Sequence, residues 1–359
     1  MGAAKRDAIS PASVRTALAS ARAPDGAPLV AADEVAEIVV EGGWAAVALH
    51  REGVSREWLT RVHGHLARSL PGAEIELRVD GRVYRGGAGF GEGKHVVAVL
   101  GGKGGVGKST LAVNLALTFS AMGLRVGLLD GDLNAPDVPH LLGVHAKVPP
   151  RGYGWQLSSP KVTPPSERRR PQERFGVEVM SVGFIVPEGA PLLVTTRLLA
   201  SQLLRYLLFD VAWRADVLLI DAPPGTGQEL QVMAGELPLS GAIFVTTPQD
   251  LAQMDAERTL ALLTQHGVPV AGLVQNMASM TCPHCGEEID MFARSRRLAD
   301  AGVPVLGRIP FDVRLSTAAD QGRPLVLGDP AGPIAYEFAR IGSAVRRWLA
   351  ERDGAGAAA

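Results

Sequence analysis

The sequence is short of cysteine, of net charge and of long apolar runs, and each shortage excludes a class of protein. Its 2 cysteines cannot form the disulfide framework of a small secreted scaffold. The 36 Lys and Arg residues nearly balance the 37 Asp and Glu residues, which argues against a general nucleic-acid binder. No run of about 18 uncharged apolar residues is present, and no basic start precedes an apolar core at the N-terminus. We therefore expect a cytoplasmic protein that binds neither nucleic acid nor membrane.

The length and composition predict a folded protein with more than one domain. At about 100–200 residues per domain, 359 residues correspond to two domains, or to one large domain with an appendage. Hydrophobic residues make up 47% of the chain and charged residues 20%, which is too apolar for a disordered protein. A Gly-rich stretch separates a small N-terminal part from a large C-terminal part. The predicted segments are a loose tail at 1–11, a small α+β domain at 12–85, a linker at 86–94, the main domain at 95–352 and a disordered tail at 353–359.

The main domain alternates short apolar runs with helical stretches, which predicts an α/β fold with a mostly parallel, doubly wound sheet. Strands are predicted at 95–100, 125–130, 177–182, 217–221, 242–246, 270–275 and 305–306. Helices are predicted at 108–121, 192–213, 251–266, 291–300 and 333–350. Residues 147–175 are predicted as a surface insertion, in which the charged run at 167–170 is either a solvated loop or an anion site. The N-terminal domain is predicted to contain helices at 12–21 and 56–69 and strands at 35–40, 45–48 and 74–79.

A Gly-rich loop follows the first strand of the main domain. It matches the pattern G-x-x-x-x-G-K-[ST] between a strand and a helix, which is the context that the pattern requires. Its glycines allow backbone N–H groups to turn towards phosphate oxygens, and the helix N-terminus adds a partial positive charge. Lys108 would reach the β- and γ-phosphates of a nucleotide, and Ser109 would offer a hydroxyl to Mg²⁺. The predicted nucleotide-binding residues are Gly102, Lys103, Gly104, Gly105, Val106, Gly107, Lys108, Ser109 and Thr110.

Acidic residues end two of the predicted strands, and ligands of open α/β sheets bind beyond such carboxyl ends. Asp221 follows four apolar residues, as in a Walker B strand, and is predicted to hold Mg²⁺, mostly through water. Asp132 is the candidate for positioning the attacking water. Asp130 either orients its neighbours by hydrogen bonds or caps the following turn. The Pro-Pro-Gly-Thr-Gly stretch after Asp221 suits a switch that senses hydrolysis.

Both cysteines lie in one short motif, Cys282-Pro-His-Cys285. Two thiolates at this spacing can bind one metal, but two ligands do not complete a tetrahedral zinc site or a cluster. If the loop lies near a two-fold axis, two chains supply four thiolates, enough for a shared 4Fe–4S cluster or one zinc ion. A redox pair and two buried thiols are the remaining interpretations.

The phosphate loop contains a second lysine, Lys103, and the octet Gly-Lys-Gly-Gly-Val-Gly-Lys-Ser resembles the deviant Walker A motif of the ParA/MinD/nitrogenase-iron-protein class. In that class the first lysine reaches across a dimer interface to the nucleotide of the partner. The resemblance therefore implies a homodimer that encloses ATP, with Lys103 and Lys108 both acting on the nucleotide.

The motifs taken together resemble the Mrp/ApbC family of P-loop ATPases. They are GGKGGVGKST, LLDGDLNAPDVPHLLG, DVLLIDAPPGTG, QNMASMTCPHCG and GRIPFDVRLSTAADQGRPLV. The family consists of carriers that bind a 4Fe–4S cluster between two subunits and hand it to apo iron–sulfur proteins. The resemblance implies cluster ligation by Cys282 and Cys285, catalysis by Asp132 and adenine contacts from Asn276 and Pro310. It also implies assembly factors as partners.

Three departures from the family pattern affect these expectations. Gln228 replaces an Asp after the Pro-Pro-Gly-Thr-Gly stretch, and Asn134-Ala135 replaces Tyr-Gly after the first-switch acid. Both changes lead us to expect slow hydrolysis. The N-terminal domain resembles the assembly domain of some family members in its element order, but it has no cysteine.

Two alternative functions remain open at this point. One is a positioning ATPase of the ParA/MinD type that acts on DNA or membrane, for which the apolar spacing of the C-terminal helix offers a membrane-surface interpretation. Core packing is the favoured interpretation of that helix. The other alternative is a zinc-bridged dimer with a regulatory ATPase.

Overall fold

The computed structural model describes residues 9–51, 54–79, 82–84, 94–145, 164–185, 196–293 and 295–357. The chain forms two compact units. The first comprises residues 1–92, 154–170 and 209–212, and the second comprises the remaining segments. Beyond residues 12–85, the first unit therefore includes two short segments from later in the chain. The predicted linker at 86–94 lies outside the described residues except for Lys94.

The first unit contains a four-stranded sheet and two helices, in the predicted order. Strand β4 is the additional element, and helix α1 begins one residue before its predicted start. The sheet order is β1-β2-β3-β4, with β2 and β3 parallel and the outer pairs antiparallel. The elements are α1 (Pro11–Ser20), β1 (Val35–Glu41), β2 (Trp44–Leu49), α2 (Arg56–Ser69), β3 (Glu74–Val79) and β4 (Arg82–Tyr84).

Strand β3 is buried on both faces from Ile75 onwards. Apolar and charged side chains alternate along it, so they lie on opposite faces. Ile75, Leu77 and Val79 join a hydrophobic core with residues of α1 and α2. On the other face Glu76 is fully buried, and its carboxylate accepts from Arg78 at 2.7 Å and from Arg168 at 3.0 Å. A buried carboxylate is tolerated when cations pair with it, so this cluster compensates the cost of burying Glu76.

The two later segments of the first unit complete this charged cluster. The Arg168 guanidinium lies over the ring of Trp44, 5.0 Å from its centroid, and Arg78 donates to Asp210 at 2.9 Å. Residue Ala212 also donates its backbone N–H to Arg169 at 2.8 Å. The two interpretations of the run at 167–170 are therefore wrong for Arg168. This side chain forms a buried structural ion pair.

The second unit is built on an eight-stranded sheet of order β14-β11-β10-β5-β9-β6-β8-β7. All neighbouring strands are parallel except the edge strand β7, which is antiparallel to β8. The strands are β5 (His95–Gly101), β6 (Val126–Asp130), β7 (Gln172–Arg174), β8 (Val177–Met180), β9 (Val217–Asp221), β10 (Gly241–Thr246), β11 (Val270–Asn276) and β14 (Val305–Ile309). A separate hairpin pairs β12 (Ser279–Thr281) with β13 (Glu288–Asp290). This confirms the α/β fold class and the mostly parallel sheet.

Nine described helices of four or more residues accompany this sheet. They are α3 (Lys108–Ala121), α4 (Val138–Leu141), α5 (Arg197–Phe209), α6 (Gln228–Glu236), α7 (Asp250–Gln265), α8 (Arg297–Asp300), α9 (Val313–Asp320) and α10 (Leu325–Gly328), followed by the long α11 (Pro333–Ala357). The predicted helices at 192–213 and 291–300 are shorter in the structure. The short helices α4, α6, α9 and α10, strand β7 and the hairpin were not predicted.

Helix α11 packs into the core, as predicted. Five of its large apolar residues are buried, namely Ile334, Phe338, Ile341, Val345 and Leu349, whereas Tyr336 is exposed. A Cβ placed on Gly307 of β14 would lie 2.5 Å from Ile341. The helix continues to Ala357, so its last turns occupy part of the segment predicted to be a disordered tail. Among the described residues, no helix is both long and apolar enough to cross a membrane.

The charged cluster of the first unit yields a stability prediction. Glu76→Ala removes the carboxylate that Arg78 and Arg168 share, which leaves buried guanidinium groups without this partner. We expect the free energy of unfolding of the first unit to fall by about 3 kcal/mol or more. Hydrogen exchange is measured on peptides of the first unit at increasing urea concentrations, and it gives the change in this free energy. Glu74→Ala is the control, because Glu74 is exposed on the same strand. Equal stability of the two variants would contradict the assignment.

Candidate functional site

The phosphate loop joins the end of β5 to the start of α3, and its glycines are required by the geometry. Gly105 and Gly107 have φ angles of +79° and +86°, in the region that L side chains rarely adopt. A Cβ on Gly102 would lie 2.2 Å from the backbone N of Ala256 in α7. A Cβ on Gly107 would lie 2.1 Å from the side-chain amide of Asn276. The loop therefore packs closely against two other elements of the second unit.

The remaining loop residues divide into buried and exposed positions. Val106 and Lys108 are buried, Ser109 and Thr110 are half-buried, and Lys103, Gly104 and Gly105 are exposed. The carbonyl of Thr110 accepts a hydrogen bond from Asn114 within α3. An exposed Lys103 suits a residue that is predicted to act across a dimer interface.

Lys108 and Asp221 form a buried ion pair at the carboxyl edge of the sheet. The Lys108 ammonium donates to Asp221 Oδ1 at 2.7 Å, and the two side chains are 9% and 1% exposed. Burial raises the pKa of Asp221, and the neighbouring Lys108 charge opposes this effect without cancelling it. Asp221 Oδ2 is buried and has no hydrogen-bond partner. An unsatisfied carboxylate oxygen beside the phosphate loop is the arrangement expected of a metal-binding acid.

The residues present fit a nucleotide with Mg²⁺. The lysine, the serine hydroxyl next to it and the unpartnered Asp221 oxygen provide the hard oxygen ligands and the cation that such a site needs. The left-handed glycines allow the loop backbone to turn its N–H groups towards an anion at the N-terminus of α3. Ser109 and Asp221 are therefore the residues that would hold Mg²⁺.

Asp130 lies fully buried beside Asp221 and fulfils both of the roles considered for it. Its Oδ2 accepts from the Ser181 hydroxyl at 3.0 Å and from the backbone N–H of Val138, the first residue of α4, at 3.2 Å. Burial, and then the charge of Asp221, raise the pKa of Asp130 well above its ordinary value. Through its hydrogen bonds to Ser181 and Val138, Asp130 holds together the loop that carries Asp132.

Asp132 stands in a turn that contacts the Walker B side of the site. Its Oδ1 accepts from the backbone N–H of Ala135 at 3.1 Å, which fixes the turn. The neighbouring Gly131 donates its N–H to the carbonyl of Asp221 at 2.8 Å, and Asn134 donates its side-chain amide to Glu229 in the first turn of α6. The hydrogen bond from Asn134 to Glu229 therefore joins the two segments that depart from the family pattern. One segment contains Asn134 and Ala135, and the other is the start of α6 at Gln228.

The cysteines occupy a tight turn between β12 and β13. Cys282 donates its backbone N–H to Glu287 at 2.8 Å, and Gly286 donates to the carbonyl of Cys282 at 2.9 Å. The backbone N–H groups of Cys285 and His284, followed by the Cys285 thiol, lower the pKa of the Cys282 thiol. Cys282 is half-buried and Cys285 is exposed. A lowered thiol pKa favours the thiolate, the form that binds metal.

Asn276 and Pro310, the two predicted adenine contacts, lie at the ends of neighbouring parallel strands. The Asn276 amide is buried and donates from Nδ2 to the carbonyl of Val106 in the phosphate loop at 2.9 Å. Pro310 follows β14, and the next residue, Phe311, donates its N–H to the carbonyl of Ser279 in β12. The contact of Asn276 with the loop was not predicted, because 170 residues of sequence separate the two partners. The adenine contacts themselves stay predictions.

The geometry thus brings the phosphate loop, Asp221, Asp132 and Asn276 to one edge of the sheet, with the cysteine turn a few residues beyond Asn276. No set of three or more His, Cys, Asp or Glu side chains in the described ranges is placed to hold a metal ion.

A sequence model of the ParA family, described as NUBPL iron-transfer P-loop NTPase, matches residues 92–346. The chain belongs to this family. Among its relatives, the iron-sulfur cluster carrier protein of Pyrococcus abyssi is 39% identical over 268 residues, which cover 73% of this chain and 88% of the relative. The mouse iron-sulfur cluster transfer protein NUBPL is 38% identical over 262 residues, which cover 71% and 78%.

A solved structure of a nucleotide-binding protein from Archaeoglobus fulgidus, in complex with ADP, is similar in both sequence and fold. It is 33% identical with a TM-score of 0.53, and the match covers 68% of this chain and 91% of that chain. Membership of the ParA/NUBPL family and this structural match confirm both the predicted P-loop NTPase fold and the resemblance to the Mrp/ApbC family.

The contact between Gly107 and Asn276 predicts the effect of adding one methyl group to the loop. Gly107→Ala places a Cβ against the Asn276 amide and forces a left-handed backbone onto Ala, which costs about 1–2 kcal/mol. We expect nucleotide affinity to fall roughly tenfold or more, measured by titration with a fluorescent nucleotide. Gly328→Ala is the control, since nothing lies within 4 Å of the added Cβ. Unchanged affinity in Gly107→Ala would show that the loop tolerates another shape.

Proposed function

We propose that the protein is an ATP-dependent carrier that binds a 4Fe–4S cluster between two subunits and transfers it to apo iron–sulfur proteins. The observation that carries the proposal is the turn between β12 and β13, which places Cys282 and Cys285 together in the same unit as the phosphate loop. The names of the relatives, which are iron–sulfur cluster carrier and transfer proteins, support the nature of the cargo.

The nucleotide side of the function rests on the phosphate loop. Backbone N–H groups of residues 102–110 bind the phosphates, and Lys108 exchanges its contact with Asp221 for one with the β- and γ-phosphates. Mg²⁺ held by Ser109 and Asp221 would neutralise phosphate charge when bound. Asp132 orients the attacking water, because its turn lies beside the Walker B strand.

Hydrolysis in this chain is slow in our proposal. Asn134 and Glu229 hold the first-switch turn on α6, and Gln228 offers an amide at a position where the family has a carboxylate. An amide accepts no proton from water at neutral pH, so one potential base is missing from the second switch.

The cargo side of the function requires two chains. Each chain supplies Cys282 and Cys285, and a cubane cluster takes four thiolate ligands. A two-fold axis at the cysteine turn brings the second pair, and the exposed Lys103 is available to reach the nucleotide of the other chain. The homodimer, the apo iron–sulfur recipients and the assembly factors belong to this proposal.

Anaerobic reconstitution with iron and sulfide tests cluster binding. The wild-type chain develops the visible charge-transfer absorption of a 4Fe–4S cluster, and Cys282→Ser loses it, because a serine hydroxyl is a poor ligand for cluster iron. His284→Ala is the matched control in the same turn and keeps the absorption. Cluster uptake by Cys282→Ser, or a wild-type chain that takes up only zinc, would contradict the carrier function.

The two loop lysines separate nucleotide binding from dimer formation. Lys108→Ala abolishes ATP binding, because it removes the cation that faces the phosphates and leaves Asp221 buried without its partner. Lys103→Ala keeps ATP binding in the monomer, because Lys103 is exposed and is not proposed to hold the nucleotide of its own chain. It loses ATP-induced dimerisation, because Lys103 is proposed to reach the nucleotide of the other chain. Nucleotide titration and analytical ultracentrifugation measure the two effects. Normal ATP affinity in Lys108→Ala would mean that the loop does not cradle phosphate.

A further inference from the structure

One side chain touches the phosphate loop and also begins the path to the cysteines. The Asn276 amide donates to the carbonyl of Val106 at 2.9 Å, and the donor atom is certain because a carbonyl can only accept. Gly107 lies so close that it leaves no space for a Cβ beside this amide. Asn276 is only 8% exposed. The contact is therefore a buried one that any movement of residues 106 and 107 must carry along or break.

The chain from Asn276 to Cys282 is short and held by hydrogen bonds along its length. Met277 follows with a φ of +52°, in the left-handed region that non-glycine residues rarely adopt. Ala278 donates its N–H to the carbonyl of Ile309 at 3.0 Å, and the carbonyl of Ser279 accepts from Phe311 at 2.6 Å. Strand β12 then leads directly into the cysteine turn. The described segment between Asn276 and Cys282 is therefore short, and either hydrogen bonds or strand β12 hold most of it in place.

We propose that Asn276 is a positioning residue that links the phosphate loop to the cysteine turn, so that nucleotide bound at the loop sets the accessibility and reactivity of Cys282 and Cys285. The inference rests on the proposed function for its biological meaning, since it describes how ATP regulates the cluster site. The linkage itself depends on the hydrogen bond between Asn276 and Val106, on the backbone conformation of Met277 and on the hydrogen bonds that hold residues 278 and 279.

The physical basis is that a buried hydrogen bond and a short, braced segment transmit a displacement that a flexible loop would absorb. Phosphate binding orders the loop backbone, and the carbonyl of Val106 moves with it. Asn276 follows its partner, because a buried amide left without it carries a desolvation cost. Thermodynamic linkage requires the effect to be reciprocal, so a metal bound at the thiols changes nucleotide affinity by the same factor.

The chain is well suited to a direct test, because Cys282 and Cys285 are its 2 cysteines. Alkylation by iodoacetamide therefore reports on this turn alone. The full-length chain is alkylated with and without saturating Mg-ADP, and nucleotide occupancy is measured in the same samples. We expect nucleotide to change the alkylation rate by about fivefold or more in the wild-type chain.

Two variants break the linkage at different points. Asn276→Ala removes the amide and is tested at nucleotide concentrations that saturate it; we expect its alkylation rate to be the same with and without nucleotide. Met277→Gly keeps the amide but gives the next residue backbone freedom, since glycine adopts positive φ without strain. We expect it to keep wild-type nucleotide affinity and to lose most of the response. Gln275→Ala is the control, because strand alternation puts this side chain on the opposite face of β11.

The outcomes separate this inference from the proposed function. A full response in both variants, or no response in the wild-type chain, overturns the linkage. Protection caused by dimerisation alone would persist in both variants and would overturn it as well. If Asn276→Ala binds no nucleotide, Met277→Gly decides. Cluster uptake during reconstitution is measured separately, so a chain that takes up a cluster but shows no nucleotide response refutes only the linkage.

Discussion

Parallel pairing of β5, β6, β9 and β11 places their carboxyl ends at one edge of the sheet, and the site depends on this constraint. Lys108 and Asp221 are separated by 113 residues of sequence, yet their side chains form an ion pair of 2.7 Å at this edge. Neither charge could be buried without the other, because an unpaired ion in the interior costs several kcal/mol. The glycines of the phosphate loop follow from the same constraint, since α7 and Asn276 leave no space for a Cβ at positions 102 and 107.

The cysteine turn adds a second constraint, which concerns the number of ligands. A cluster takes four thiolates and one chain offers two, so cargo binding and chain association are one event in the proposed function. In the proposed function, the nucleotide site regulates this association of chains. The exposed Lys103 and the cysteine turn both belong to the second unit. The first unit follows different physics, in which buried Glu76 is compensated by arginines from its own strand and from residues 164–170.

The sequence predicted the elements whose pattern is local and missed the contacts that depend on distant partners. Helix α3, strand β9 and the two N-terminal elements α2 and β3 have the predicted bounds, because their apolar spacing is unbroken. The phosphate loop was also recognisable, since its glycines, lysine and serine are contiguous. The link between Asn276 and Val106 was not, because no local signal marks which amide meets a loop 170 residues away. The prediction for Arg168 was wrong for the same reason, because its carboxylate partner, Glu76, lies in the distant strand β3.

The proposed function requires two chains to share one cluster through Cys282 and Cys285. Anaerobic native mass spectrometry of the reconstituted full-length chain tests it most directly, because it weighs the assembly and its inorganic content together. We expect a species of two chains that carries one 4Fe–4S cluster and dissociates to apo monomers when the cluster is removed. A metal or cluster bound to single chains, or a dimer that holds one zinc ion in place of the cluster, would contradict it.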